Sequence, residues 1–232
     1  MNPDSIIAAL FPPTCILCGA PGAIGRDLCD GCAAELPYNR HCCARCALPL
    51  DGPLPDGILC GLCQRRAPPY DRCIAALRYE NPVPTLVGAA KFRGRLNAAR
   101  LLGQLLTDRV RSEPGPWPQV LIPVPLHPSR LAERGYNQAL EIARVLAREL
   151  ALPIENHVCE RVAATAPQAG LDERARRRNI RGAFAARGPF DWNHVAILDD
   201  VVTTGSTVAE LARVLRDAGA RRVEVWAAAR TP

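Results

Sequence analysis

The spacing of apolar and polar positions follows two different rules along this chain. Before about residue 70, apolar residues are scattered among cysteines, prolines and glycines and sustain no period. Beyond it they gather into short runs and helical stripes. Ala75 to Tyr79 reads as a strand, and Leu96 to Val110 carries apolar residues at helical spacing. Val120 to Ile122 is a short buried strand running into Pro123-Val124-Pro125-Leu126, whose prolines keep the exit extended. Ala139, Ile142, Ala143, Leu146 and Leu150 mark one face of a helix. His194 to Leu198, Val208 to Ala218 and Val223 to Trp226 then read strand, helix, strand. This order predicts an α/β fold with a doubly wound, mostly parallel sheet. Arg65 to Tyr70, with its paired prolines, breaks both helix and strand and reads as a linker. Residues 1–68 and 69–232 are therefore expected as two domains.

The densest chemical signal is Val195 to Leu211, V-A-I-L-D-D-V-V-T-T-G-S-T-V-A-E-L. An apolar run ends in Asp199 and Asp200, then passes through a small, hydroxyl-rich turn into a helical pattern. Gly205 lets the backbone approach a ligand closely, and the next helix aims its free N–H groups at the turn. A phosphate monoester fits there. The two carboxylates would repel that phosphate, but they suit paired hydroxyls or a hydrated Mg²⁺. No lysine follows Gly205 as a Walker A loop requires, and the three spaced glycines of a dinucleotide fingerprint are missing. An ordinary strand-to-helix turn capped by acids is the plain alternative.

The whole motif resembles the 5-phosphoribosyl-1-pyrophosphate (PRPP) loop of type I phosphoribosyltransferases. By that resemblance Asp199 and Asp200 meet the ribose 2′ and 3′ hydroxyls. Thr203, Thr204, Gly205, Ser206 and Thr207 hold the 5′-phosphate, with Val201 and Val202 leading into them.

Composition separates the two parts further. Of eleven cysteines in 232 residues, ten precede Ile74, and only Cys159 follows it. A cysteine- and proline-rich segment with few aromatics is poorly equipped to build its own apolar core and needs a covalent or metal staple. Four Cys-x-x-Cys pairs supply one: Cys15 with Cys18, Cys29 with Cys32, Cys43 with Cys46, and Cys60 with Cys63. Two pairs complete a tetrahedral Cys₄ zinc site with no open position, which predicts two structural Zn²⁺ ions in a double zinc ribbon. A redox dithiol and an iron–sulfur cluster are the weaker alternatives. Sequential pairing and interleaved pairing both satisfy the spacing. Cys73 and Cys159 read as small buried hydrophobes, and His41 as a surface residue. With no secretory signal and no run long enough to span a membrane, the thiols are expected reduced, in the cytoplasm. The formal charge of +6 is modest, but clustered arginines favour anionic partners.

Two basic segments stand out. Lys91-Phe92-Arg93-Gly94-Arg95 reads equally as a solvated helix entry or as an anion contact. Arg174 to Arg181, preceded by Thr165, Gln168, Gly170 and Leu171, has few apolar anchors and reads as an excursion over the site, or else as an exposed arginine-rich helix. Arg130 and Arg134 follow a strand end, where open parallel sheets bind ligands.

Taken together, the cysteine pairs with Leu36-Pro37, Lys-Phe-Arg-Gly, Pro-Val-Pro-Leu with Arg-Gly-Tyr-Asn-Gln, Gln168 to Leu171 with Arg-Asn-Ile-Arg-Gly-Ala-Phe, and the acid-pair loop resemble the ComF family. These are double-zinc-ribbon proteins with a phosphoribosyltransferase domain, linked to natural competence and incoming single-stranded DNA. The resemblance implies a PRPP site with Mg²⁺. Asp199, Asp200 and Arg134 would be catalytic, Arg130, Arg177 and Arg178 would support the pyrophosphate, and the turn at Pro125 would cradle it. The phosphoribosyl acceptor is not written in the sequence. Trp226 could stack on a base but is better explained as core. The competing reading is a non-enzymatic protein that binds single-stranded nucleic acid or partners a competence helicase, using the same cradle and basic loops. Few aromatic residues are available for base stacking, which counts against it.

Overall fold

The computed structural model describes residues 12–52, 55, 57–92, 95–163, 180–188 and 191–232, the side chain of Phe92 excepted. In chain order these form α1 (Asp30–Ala34), α2 (Gly61–Arg65), β1 (Arg72–Arg78), α3 (Val83–Phe92), α4 (Leu96–Arg111), β2 (Val120–Pro123), α5 (Pro128–Arg134), α6 (Gln138–Leu150), β3 (Cys159–Arg161), β4 (Phe184–Ala186), β5 (His194–Val202), α7 (Ser206–Asp217) and β6 (Arg222–Arg230). Strands β1-β6-β5-β2 pair in that order, all parallel. A separate antiparallel hairpin joins β3 to β4.

Period-two alternation sorts the sheet's side chains onto two cores. Ile74, Leu121, Ala196, Leu198 and Trp226 face α3, α4 and α6. Their neighbours Ala75, Ile122, Val195, Ile197 and Val225 face α7 and the β3–β4 hairpin. The strands are apolar on both faces because helices cover both, as parallel sheets require. Trp226 is part of this core, and its indole N–H donates to Glu224 at 3.0 Å.

The cysteine-rich segment does not sit apart from these cores. Cys15, Leu28 and Leu36 join the first, while Cys43, Cys46, Cys60, Cys63 and Tyr70 join the second. Between them, residues 37–39 run along the outer edge of β1. Arg78 N donates to the Pro37 carbonyl at 2.7 Å, and Asn39 N donates to the Ala76 carbonyl at 2.9 Å. An otherwise open strand edge is thereby covered. On the outer face of α4, Arg100 pairs with Asp27 at 2.5 Å and Arg26 with Asp108 at 2.7 Å, fastening the first ribbon. The segment borrows its apolar core from the sheet.

Candidate functional site: an acid pair, a phosphate-sized loop and two cysteine clusters

β5 extends through the acid pair to Val202, so Asp199 and Asp200 lie on the strand, together with Val201 and Val202. Adjacent side chains on a strand point opposite ways. Asp200 turns toward α3, where Lys91 Nζ stands 2.8 Å from its Oδ2. Asp199 lies within electrostatic reach of Arg161 on β3. Burial and the neighbouring Asp200 carboxylate push Asp199 well above the usual carboxylate range, against the opposing pull of Lys91. Burial draws Lys91 down, but Asp200 and then Asp199 more than offset this, and the amine stays charged. The result is a crowded acidic pair with Lys91 on one side and Arg161 within electrostatic reach on the other, where charge-neutral hydrogen-bond donors or a further cation would be favoured.

Thr203 and Thr204 form the turn. Gly205 caps α7 in the left-handed region at φ 75°, a conformation that glycine alone adopts without strain. Having no side chain, it offers α7 no cap of its own; Thr204 Oγ1 accepts from Ser206 N at 3.4 Å and sits 2.9 Å from Ser206 Oγ inside the loop. Ser206 and Thr207 make the first turn of this 12-residue helix, whose N–H groups favour an anion.

Pro125 follows β2, which pairs directly with β5, and Val124 N donates to the Leu198 carbonyl at 2.9 Å. The proline turn therefore lies beside the acid pair. Arg130 and Arg134 are half-buried on α5, and Arg130 is close enough to Arg161 to depress it further, after burial. The tripeptide after α5 has positional work. Tyr136 Oη donates to the Ala90 carbonyl next to Lys91, Asn137 Nδ2 donates to the Val124 carbonyl at 3.0 Å, and Asn137 Oδ1 caps α6 through Ala139 N. Arg177 and Arg178, with most of the second basic segment, lie outside the described residues. Directly after it Ile180 is buried, and Gly182 N donates to Glu210 Oε1 on α7 at 2.8 Å.

Three residues join this site without having been expected there. Lys91 had a basic cluster as its signal, but only the packing of α3 shows which anion it meets. Arg161, one arginine in a short strand, carried no signal. Arg230 sits at the end of β6, where its guanidinium reaches the loop carbonyls of Val202, at 3.2 Å, and Thr203.

The cysteines form two clusters by sequential pairing: Cys15, Cys18, Cys29 and Cys32, then Cys43, Cys46, Cys60 and Cys63, each set within 4.8 Å of one another. Four thiolates around a tetrahedral zinc at about 2.3 Å stand ~3.8 Å apart. Cys18 and Cys29 Sγ are 3.7 Å apart, and Cys46 and Cys60 Sγ are 3.6 Å apart, so both sets fit the ion. Burial would raise Cys43, but the N–H groups of Cys60, Cys46 and Arg45 bring it down to about 7. Cys15 is likewise brought down to about 6, by the N–H groups of Cys29, Cys18 and Leu17 acting against burial. Each cluster thus contains a thiol prepared to ionise. Cys73 and Cys159 are buried outside the clusters, and His41 is exposed.

A parallel α/β domain whose central strand ends in an acid pair and a glycine-capped loop, joined to a double cysteine-cluster ribbon, defines the class. The chain belongs to the ComF family of competence-associated proteins. The double zinc ribbon domain family matches residues 6–64. The DNA utilization protein YhgH of Salmonella typhi is 37% identical over 225 residues, covering 95% of this chain and 98% of that protein. Competence protein F of Haemophilus influenzae is 34% identical over 227 residues, covering 93% of this chain and 96% of that protein. Among solved structures, the chain is similar to a glutamine PRPP amidotransferase from B. subtilis complexed with ADP and GMP, with a TM-score of 0.39 and 18% identity over 61% of this chain and 30% of that one. It is also similar to the protein TT1426 from Thermus thermophilus, with a TM-score of 0.34 and 20% identity over 58% of this chain and 83% of that one. Among the described residues no helix is long and apolar enough to cross a membrane.

Proposed function

We propose that the loop 203–207 and the acid pair bind PRPP as its Mg²⁺ complex and that the protein transfers the phosphoribosyl group to an acceptor. The observation that carries this reading is the adjacency of a strand-end acid pair to a glycine-capped helix N-terminus. One end accepts hydroxyl protons and the other receives a phosphate, as a ribose 5-phosphate presents them. Asp199, held protonation-prone by burial and by Asp200, gains by accepting hydrogen bonds from the ribose hydroxyls or by facing a cationic sugar.

In the transfer, the C1–oxygen bond to pyrophosphate breaks, the electron pair leaves with pyrophosphate, and a lone pair of the acceptor forms the new bond at C1. Positive charge develops on the ribosyl ring and negative charge on the leaving group, so the chain's contribution is electrostatic. The carboxylates of Asp199 and Asp200 favour the ring cation. Arg130 and Arg134 on α5, with Arg177 and Arg178 from the second basic segment, take the leaving group, and the turn at Pro125 cradles it. Lys91 and Arg161 add positive charge on the two faces of β5. Mg²⁺, bound with PRPP and within reach of the carboxylates, would supply further neutralising charge.

The relatives' names attach these proteins to DNA utilization and competence, and we place this chain's activity in that setting, in a reducing cytoplasm where the cysteine clusters hold zinc. A purely nucleic-acid-tracking role is less favoured because several arginines are already engaged in ion pairs. Arg26 meets Asp108, Arg100 meets Asp27, Arg111 meets Glu149 and Arg144 meets Glu141. Calorimetric titration of the zinc-loaded protein with Mg²⁺ and PRPP, beside the Asp199→Asn, Asp200→Asn double variant, tests the site. Binding lost in the double variant supports it, and unchanged affinity removes it. A screen of acceptors for pyrophosphate release tests turnover.

A further inference from the structure

Arg230 is buried at the end of β6, and among the described residues no carboxylate pairs with it at ion-pair distance. Its planar fork is held by main-chain carbonyls of the second cysteine cluster, of the loop and of its own chain neighbour. Nε donates to the Cys46 carbonyl at 3.2 Å, inside the second cysteine cluster. Nη1 lies against the Val202 carbonyl at 3.2 Å, against that of Thr203, and against that of Thr231 at 2.7 Å. Tyr70, packed with the same cluster, places its hydroxyl beside Gly205, 3.5 Å from where a Cβ would stand. The second cluster therefore touches the loop twice, through a guanidinium and through a phenol.

Charge follows the same geometry. Four thiolates outweigh one divalent ion, so a zinc-loaded cluster is anionic. A phosphate in the loop is anionic as well. Arg230 is the buried cation between them, and its rigid fork cannot follow one side without moving the other. Among the described residues the first cluster shows no such link; it fastens to the outer face of α4 through Arg26 and Arg100.

We propose that Arg230 is a positioning residue that makes the second cysteine cluster part of the phosphate site: metal held by Cys43, Cys46, Cys60 and Cys63 orders the loop 202–207, and an anion bound in the loop tightens metal retention at that cluster alone. The second half follows from the first, since coupling between two binding events is reciprocal. The anion half rests on the PRPP reading above. The loop-ordering half does not.

The test reads each cluster and the loop separately. Zinc-loaded protein is challenged with a chelator and N-ethylmaleimide, with and without saturating Mg²⁺ and PRPP, and alkylation is followed peptide by peptide. PRPP should slow modification of the second cluster about threefold or more and leave Cys15, Cys18, Cys29 and Cys32 unchanged. Equal protection of both clusters, or of neither while calorimetry records binding, overturns the coupling. In parallel, hydrogen exchange of the 202–207 peptide is compared among wild type, Arg230→Met and Arg230→Lys. Both variants should exchange about tenfold faster there with α4 unchanged, because lysine keeps the charge but not the fork. Unchanged loop exchange overturns the proposal. Should the variants lose protection throughout, removal of metal from the wild type replaces them, and loop exchange no faster than in the metal-loaded protein is the refuting result. If calorimetry detects no PRPP binding, the PRPP reading fails and the exchange comparison still decides whether Arg230 holds the loop.

Discussion

Asp199 and Asp200 are chemical twins with opposite energetic roles. Asp200 has Lys91 at 2.8 Å and answers a largely buried cation. Asp199 has burial and a like charge against it, so its folded pKa stands above its ordinary value. An acid raised in this way binds its proton more tightly when folded. It therefore costs stability once pH climbs past its unfolded value, and that cost persists at neutral pH. Asp199→Asn is expected to raise the stability of the unliganded protein by roughly 1 kcal/mol while weakening PRPP binding, a trade of stability for function. Asp200→Asn should instead cost roughly 1–3 kcal/mol, because it leaves the Lys91 amine buried without its carboxylate. Denaturant titration of the two single variants separates them, and shifts of the same sign would contradict the assignment. The acid pair and the loop were legible in the sequence because residue type, order and spacing all coincide in one short stretch. Arg161 and Arg230 were not, since a single arginine at a strand end looks the same whether it meets solvent or a carbonyl cluster.

At the scale of elements, β5, the loop and α7 act as one device whose joint is Gly205 at φ 75°. Gly205→Ala should lower stability by roughly 1–2 kcal/mol from backbone strain alone, since its Cβ would meet Tyr70 only at ordinary contact distance. Thermal unfolding should fall by a few degrees, and an unchanged midpoint would mean that the loop relaxes to another turn. At the opposite end of the strands, Glu224 on β6 is fully buried and gathers Trp226 Nε1, Arg72, His194 and Arg222. Burial would raise Glu224, but the Trp226 N–H and then these cations hold it below its ordinary value. Burial, aided by Arg222, holds His194 below 6.5 despite Glu224. For both groups the unfolded chain binds protons first on acidification, so stability present above their unfolded values is lost as pH falls through their folded ones. Stability should therefore decline as pH falls below about 6.5 through His194, and again below about 4.5 through Glu224, and His194→Gln should flatten the first of these slopes. Strands and long helices were legible from period and length: α4, expected from Leu96 to Val110, runs Leu96–Arg111. The short α5 and the β3–β4 hairpin were not, because a few residues carry too little periodicity and their partners lie far away in the chain.

The molecule as a whole departs most from what its composition suggests. A cysteine-rich segment with no core of its own reads as an appendage, yet its residues fill both cores and cover the edge of β1. Leu36-Pro37, legible only as a family signature, turns out to begin the segment that covers that edge. Metal binding to the clusters is thus folding energy for the sheet as well as for the ribbons. Removing zinc with a strong chelator at neutral pH should lower a single cooperative unfolding transition, followed in parallel by far-ultraviolet circular dichroism and by the tryptophan fluorescence of a variant that keeps only the buried Trp226. A ribbon that folded alone would give two transitions, with the tryptophan signal unmoved by the chelator. Because the ligands must ionise before they bind, zinc retention should also weaken as pH falls, with protons released on reloading. On the coupling proposed above, metal in the second cluster has a further route to the loop: residues 37–39 of the ribbon bond to the free edge of β1, β1 pairs with β6, and β6 carries Arg230 to the loop.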